Sequence, residues 1–226
     1  MSVVLGASQD WIALNKPAGI PVFPPHADPE GDCLLARWRG EQGHSDDHAW
    51  PDGFDGGIAH RLDGSTSGLV LAAQSPAALV RIRAMFRNGD LSKRYVFVSA
   101  GDVPWDKHVV EKPIAHDKRR RSRMIVQRGK STPHRGRWYT AHTSFRRLAN
   151  ISDTVFLWEA VITTGVMHQI RVHAASVGIP LRGDKHYGGG TPTDASIPFL
   201  LHHIGMTGPG FVPPEASVPD FWPIPE

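Results

Sequence analysis

Three polar stretches of this 226-residue chain hold side chains of the kinds that do chemistry. In His60-Arg61-Leu62-Asp63-Gly64-Ser65-Thr66-Ser67-Gly68 an aspartate stands in a polar turn that runs straight into an apolar segment. A carboxylate at the mouth of a core strand can be held rigidly while it faces a cleft. The plainer reading of Asp63 is a carboxylate that caps its own turn. The Gly-Ser-Thr-Ser-Gly loop could instead cradle phosphate, but that needs a helix N-terminus behind it and usually a lysine, and neither follows. The second stretch, His168-Gln169-Ile170-Arg171-Val172-His173, invites a metal reading. Two zinc-binding histidines on one helical face want a spacing of four with a glutamate between them, whereas these stand five apart without one, so no metal is expected. Arg171 on a helix can form a fixed fork with a carboxylate, in the plainest case a structural ion pair.

The third stretch is basic. Between His116 and Arg137 lie Lys118, Arg119, Arg120, Arg121, Arg123, Arg128, Lys130, Arg135 and Arg137 against one acid, Asp117. The chain as a whole carries a formal charge of only +3, and outside this strip 16 basic residues face 21 acidic ones. A basic strip on a mildly acidic body attracts a polyanion to one face, and phosphate backbones are the commonest such partner. A solvated loop is the bland alternative. Trp138 and Tyr139 follow directly, and aromatics beside arginine are what base stacking uses.

The elements that must position these groups follow from periodicity and punctuation. Trp11–Leu14 is a short strand ended by Lys16-Pro17-Ala18-Gly19, and Gly68–Ala73 is an apolar run of strand length. Ser75-Pro76 then offers an N-cap with proline at the first helical position. Leu79, Ile82, Met85 and Phe86 recur at helical spacing, and Asn88-Gly89 supplies the stop. Tyr95–Ser99, Thr143–Leu148 and Thr154–Ile162 read as strands, and residues 167–177 as a helix capped by Gly178. Cys33–Trp38 reads as a short helix, residues 40–57 as an exposed loop, and the proline-rich tail as extended segments wrapping the body. With 23 glycines and 19 prolines, many turns and short elements are expected, and the pattern predicts one α+β domain over residues 1–226 around a mixed sheet.

Composition closes several routes. The hydrophobic and charged shares, 40% and 21%, are those of a globular protein, and no apolar run approaches the ~20 residues of a membrane span. Met1–Ala7 lacks the basic start and long apolar core of a signal peptide, so a cytoplasmic protein with no membrane partner is expected. Cys33, the only cysteine, excludes internal disulfides and multi-cysteine zinc sites. It sits in a predicted helix without an evident base, and no Gly-x-Ser-x-Gly turn occurs, so cysteine and serine nucleophiles lack support.

Taken together the blocks resemble the RNA pseudouridine synthases, in particular their RluA branch. Asn15-Lys-Pro-Ala-Gly19 looks like the family's opening block, His60–Gly68 its catalytic block, and Lys93-Arg-Tyr95 its tyrosine block. Thr164–His173 with Gly183-Asp184 and Tyr187-Gly188 looks like the arginine block, and Leu201-His202 with Pro219-Asp-Phe221 like the closing pattern. The blocks stand in family order across residues 15–221. Two departures stand out. Val166-Met167 occupies the place of the usual Arg-Thr, and Gly64 that of a basic residue after the aspartate. Many relatives carry an N-terminal S4-type RNA-binding domain; with a first strand near Trp11, none is expected here.

The resemblance implies a pseudouridine synthase catalytic fold, α+β, with a largely antiparallel mixed sheet flanked by helices and loops around a central cleft. It implies conversion of uridine in ribosomal or transfer RNA to pseudouridine by a monomer that needs no cofactor. The target base must be flipped out, at a cost of a few kcal/mol, with Arg61 placed to fill the vacancy. Asp63 acts ionised, as nucleophile at C1′ or base at C2′, and Arg171 beside it keeps it charged. Tyr95 offers an aromatic face to uracil and a phenolic oxygen for removal of the C5 proton, and Ile170 would floor the pocket. RNA selection falls to the catalytic body, with Lys118, Arg119, Arg120 and Arg121 on phosphates. A non-catalytic RNA-binding protein and a His60/Asp63 metal hydrolase are the competing readings.

Overall fold

The apolar segment behind Asp63 becomes a strand buried along its whole length, and the structure builds outward from it. The computed structural model describes residues 3–42, 48–191 and 197–223. Its elements in chain order are β1 (Val4–Ala7), β2 (Trp11–Lys16), α1 (Leu34–Gln42), β3 (Ser67–Ala73), α2 (Pro76–Asn88), β4 (Ser92–Ala100), β5 (Lys107–Val110), β6 (Ile114–Asp117), β7 (Met124–Val126), β8 (His134–Tyr139), β9 (Thr143–Ser152), β10 (Val155–Ile162), α3 (Gln169–Ser176) and β11 (Leu201–Thr207). They group into two compact units, residues 1–93 with 202–219 and residues 94–201 with 220–226.

In the first unit the strand order is β1-β2-β3-β11. β2 runs antiparallel to β3 from Trp11 opposite Ala73 to Lys16 opposite Gly68, while β11 runs parallel to β3, placing His203 beside Gly68. That approach demands glycine: Gly68 has φ +110°, and a Cβ there would lie 2.2 Å from the His203 carbonyl oxygen. The final glycine of the Asp63 block is thus a packing requirement of the strand pair. α2 forms as its caps dictate. Ser75 Oγ accepts from Ala78 N–H, Pro76 opens the helix and Gly89 closes it in the left-handed region. Its buried Leu79 and Ile82 pack with Leu69, Leu71 and Ala73 of β3, each buried Leu or Ile contributing roughly 1.5–3 kcal/mol.

In the second unit the order is β4-β10-β9-β5, with β10–β9 and β9–β5 antiparallel, and a separate three-stranded sheet has the order β7-β6-β8, with both pairs antiparallel. The small sheet lays Ile114, Met124 and Val126 against Val172 of α3 and Tyr187. The architecture is α+β with mostly antiparallel pairing, and β3–β11 in the first unit is a parallel pair.

Several sequence expectations need correction. Cys33 lies ahead of α1 rather than within it, and its buried Sγ accepts a hydrogen bond from Ala36 N–H, so it caps the helix. The segment assigned to an exposed loop is helical to Gln42, falls outside the described residues at 43–47, and then packs Trp50 and Phe54 against the core beside β3. The tail is not only extended wrapping, since Leu201–Thr207 is an inner strand. Its polar His202-His203 hid it from a search for apolar runs. None of the described helices is long and apolar enough to cross a membrane.

Candidate active site

Asp63 sits in the turn feeding β3, partly exposed, with its carbonyl accepting from Thr66 N–H. The turn is fastened from beneath. Lys16, fully buried at the end of β2, donates from Nζ to the carbonyls of Pro17, Ile20 and Gly64, and Gly64 O also accepts from Gly19 N–H. Burial pushes the Lys16 ammonium down to about 8, with the charge of Asp63 working in the opposite direction. A buried cation has therefore been placed next to the candidate carboxylate by the opening block, a connection that sequence spacing did not reveal. Gly64 contributes through its carbonyl. A Cβ there would meet nothing closer than Ile20 O at 4.0 Å, so the backbone leaves room for a side chain at this position. Ahead of Asp63, exposed Arg61 holds its guanidinium 6.0 Å from the Phe23 ring centroid.

His60 lies beneath the same loop, its Nε2 accepting from Leu71 N–H and its ring 5.1 Å from Phe86 and 5.8 Å from His203. His202 joins Ser67 Oγ to the Ala216 carbonyl, and His203 Nδ1 lies 2.6 Å from Leu69 O. These imidazoles tie the loop, β3 and β11 together.

In the second unit α3 buries six residues in succession, Gln169 to Ala174. It is not a one-sided stripe, and its polar members are satisfied internally. Gln169 donates to His142 O and Thr143 Oγ1 and accepts from Thr164 Oγ1 and Val166 N–H. His173 Nε2 donates to Lys112 O at 2.9 Å, which leaves Nδ1 to accept from Thr143 Oγ1 at 2.8 Å. His168 caps the helix at φ 55°, the only non-glycine residue at positive φ among those described, with Nδ1 2.9 Å from Tyr187 Oη. The two histidines of the supposed metal pair thus hold separate structural bonds. Val166 packs under the small sheet and Met167 is exposed.

Arg171 forms its fork with Asp184. Nε and Nη2 donate to Oδ2 and Oδ1 at 2.7 and 3.0 Å, both side chains are buried, and His186 N–H also donates to Oδ1. The guanidinium lies 4.4 Å from the Phe199 ring centroid and 5.1 Å from that of Tyr187. Tyr187 Oη accepts from Met124 N–H, and the Arg123 guanidinium lies 5.3 Å from the centroid of the same Tyr187 ring. Asp184 and Tyr187 stood in the quoted arginine block without an assigned part. Tyr95 on β4 and Ile170 on α3 are both buried, 6% and 4% exposed. Of the candidate set, Asp63 and Arg61 belong to the first unit and Tyr95, Ile170 and Arg171 to the second.

The basic strip threads the small sheet, with Arg135 and Arg137 on β8 and its other seven basic residues in the turns between strands. Lys118, Arg119, Arg120 and Arg121 occupy the exposed turn between β6 and β7, where Asp117 Oδ1 accepts from the N–H groups of Arg119 and Arg120. The one acid of the strip is committed to shaping its turn.

The buried histidines give this architecture a pH signature. Burial lowers His173 to about 4, His203 to about 3 and His60 well below its ordinary value. Each stays neutral in the fold but takes a proton near pH 6.5 once unfolded. Their contribution is complete above pH 6.5 and is lost as pH falls toward 4, by about 3 kcal/mol for His173 alone. Urea unfolding from pH 7 to 4 should show that decline, and His173→Leu should remove its share of the slope; a flat profile in the parent protein contradicts the assignment.

A family model described as RNA pseudouridylate synthase matches residues 10–176, a span holding Lys16, Arg61, Asp63, Tyr95, the basic strip and Arg171. The chain belongs to this family. It is 32% identical over 202 residues to an uncharacterized RNA pseudouridine synthase of Bacillus subtilis, covering 88% of this chain and 61% of that protein. It is 31% identical over 200 residues to ribosomal large subunit pseudouridine synthase D of Yersinia pestis, covering 84% and 54%. With the dual-specificity RNA pseudouridine synthase RluA of Pasteurella multocida it shares 29% over 179 residues, 78% and 73% of the two chains. The chain thus spans about three fifths of the Bacillus protein's length and about half of the Yersinia protein's. Human RNA Pseudouridylate Synthase Domain Containing 1 has the same fold, with a TM-score of 0.72 at 21% identity over 97% of this chain and 83% of that one.

Proposed function

We propose that this chain converts uridine in ribosomal or transfer RNA to pseudouridine, as a cytoplasmic monomer without cofactor or metal. The observation that carries the reading is Asp63, presented on a turn clamped by Lys16 and Gly19 at the mouth of a buried strand, within the matched family span. The C1′–N1 bond breaks, the uracil turns, and C1′ bonds to C5; the C5 proton leaves and N1 gains one, so the reaction balances with no co-reactant. Asp63 serves as the ionised carboxylate at C1′ or C2′. Tyr95 stacks on the base and its hydroxyl assists loss of the C5 proton. Arg171 supplies the counter-charge for the reacting carboxylate and Ile170 the apolar floor. Arg61 fills the place of the flipped base. The test is expression in cells deleted for the gene, with pseudouridine mapped across total RNA with and without the protein. At least one site should depend on it, and a map unchanged by the deletion overturns the reading.

Lys118, Arg119, Arg120 and Arg121 are proposed to meet phosphates. Each contact with single-stranded RNA releases about 0.7 counterion. Changing Arg119, Arg120 and Arg121 to Gln should weaken binding and flatten the plot of log affinity against log salt by roughly two units. The rate of fully bound substrate should hardly change. An unchanged salt slope would make the turn a solvated one.

A further inference from the structure

On β8, the edge strand of the small sheet, the rings of His134 and Trp138 lie 4.5 Å apart between centroids with planes 36° apart. Residues four apart on a regular strand are ~13 Å apart, so the backbone must double back locally. It does so at Gly136, whose φ is +73°, and the β6–β8 register slips across the same stretch. The bulge brings the two rings together and leaves Arg135, Gly136 and Arg137 exposed between them. His134 Nδ1 bonds to Thr132 O at 3.1 Å, which fixes its ring. Both rings are half-buried, and neither belongs to the apolar cluster of Ile114, Met124 and Val126 that anchors this sheet to α3. The surroundings are cationic. Arg137 covers Tyr139 at 4.8 Å, and the carboxylate of Asp117, the only acid between His116 and Arg137, is held by its turn.

We infer that the His134–Trp138 pair is a preformed stacking platform for one unpaired RNA base, with Arg135 and Arg137 holding the flanking phosphates. An ordered aromatic pair loses little side-chain freedom on stacking, and every base offers a π-face, so the platform selects unpaired RNA over duplex. Charge complementarity names a nucleic acid, and half-buried rings outside the apolar cluster name an unpaired base. The inference rests on the proposed RNA substrate but on none of the proposed catalytic residues.

The probe is a fluorescent single-stranded oligoadenylate of twelve nucleotides, compared with a duplex RNA of equal length by anisotropy across a salt series. Trp138→Leu should weaken oligoadenylate binding about tenfold, within the usual worth of one stacked base, at unchanged salt slope and with the duplex unaffected. Trp138→Phe should stay within about threefold of the parent. Arg135→Gln with Arg137→Gln should flatten the slope by roughly 1.4 units. Parent-like oligoadenylate binding by Trp138→Leu overturns the platform. So does an equal loss on duplex, which would make Trp138 a support of the strip's shape. A protein that binds oligoadenylate through Trp138 yet forms no pseudouridine would sink the catalytic reading and leave the platform standing.

Discussion

Asp63→Asn is expected to abolish pseudouridine formation while RNA affinity stays within about twofold of the parent. Either role for the carboxylate needs its charge, which asparagine lacks at equal shape. The bonds from Lys16 Nζ and Gly19 N–H to Gly64 O and from Thr66 N–H to Asp63 O end on backbone carbonyls and survive the change. The variant should fold as the parent does, and binding should persist because phosphate contacts dominate it. A single-turnover rate of even a tenth of the parent's sinks the assignment.

Arg171→Met should have two effects that can be told apart. It strips the fork from Asp184, whose buried carboxylate keeps the bond from His186 N–H. An uncompensated buried charge costs about 3–5 kcal/mol, and the rings of Phe199 and Tyr187 lose their cation as well. Urea unfolding should register a loss of that size. Turnover should fall at least about 100-fold, corresponding to about 3 kcal/mol of lost stabilisation of the reacting carboxylate. Adding Asp184→Asn removes the stranded charge, so the double variant should recover much of the stability and none of the turnover. Recovery of both would reduce Arg171 to a structural partner of Asp184.

What could be read in the sequence was what local chemistry dictates. α2 was legible to its ends because Ser75-Pro76 and Asn88-Gly89 are caps with a mechanism, and β3 because seven buried residues in a row leave a continuous apolar trace. β11 was missed because its core-facing positions include two histidines, whose bonds to Ser67, Ala216 and Leu69 lie far away in sequence. The small sheet was missed because its strands are three to six residues long and are separated by turns that carry most of the charges that suggested a loop. Asp63 and Arg171 became candidates through their local sequence and the block order, and Tyr95 through the block order alone. Lys16 and Asp184 were within those blocks yet gained no role, since nothing local tells that a lysine after a strand will be fully buried or that an aspartate thirteen residues on will meet an arginine. Tyr187, which ties Met124, His168 and Arg171 together, is likewise visible only in three dimensions.

The central claim, that this chain isomerises uridine with Asp63 as the carboxylate, is tested most directly by release of tritium from uridine C5. RNA from cells deleted for the gene, labelled at that position, is mixed with excess purified protein in buffer containing a chelator and no cofactor. The account predicts tritium release to water by the parent protein in step with pseudouridine formation, at the sites lost on deletion, and none by Asp63→Asn. Equal release by Asp63→Asn, or no release by the parent from RNA that it binds, would contradict it.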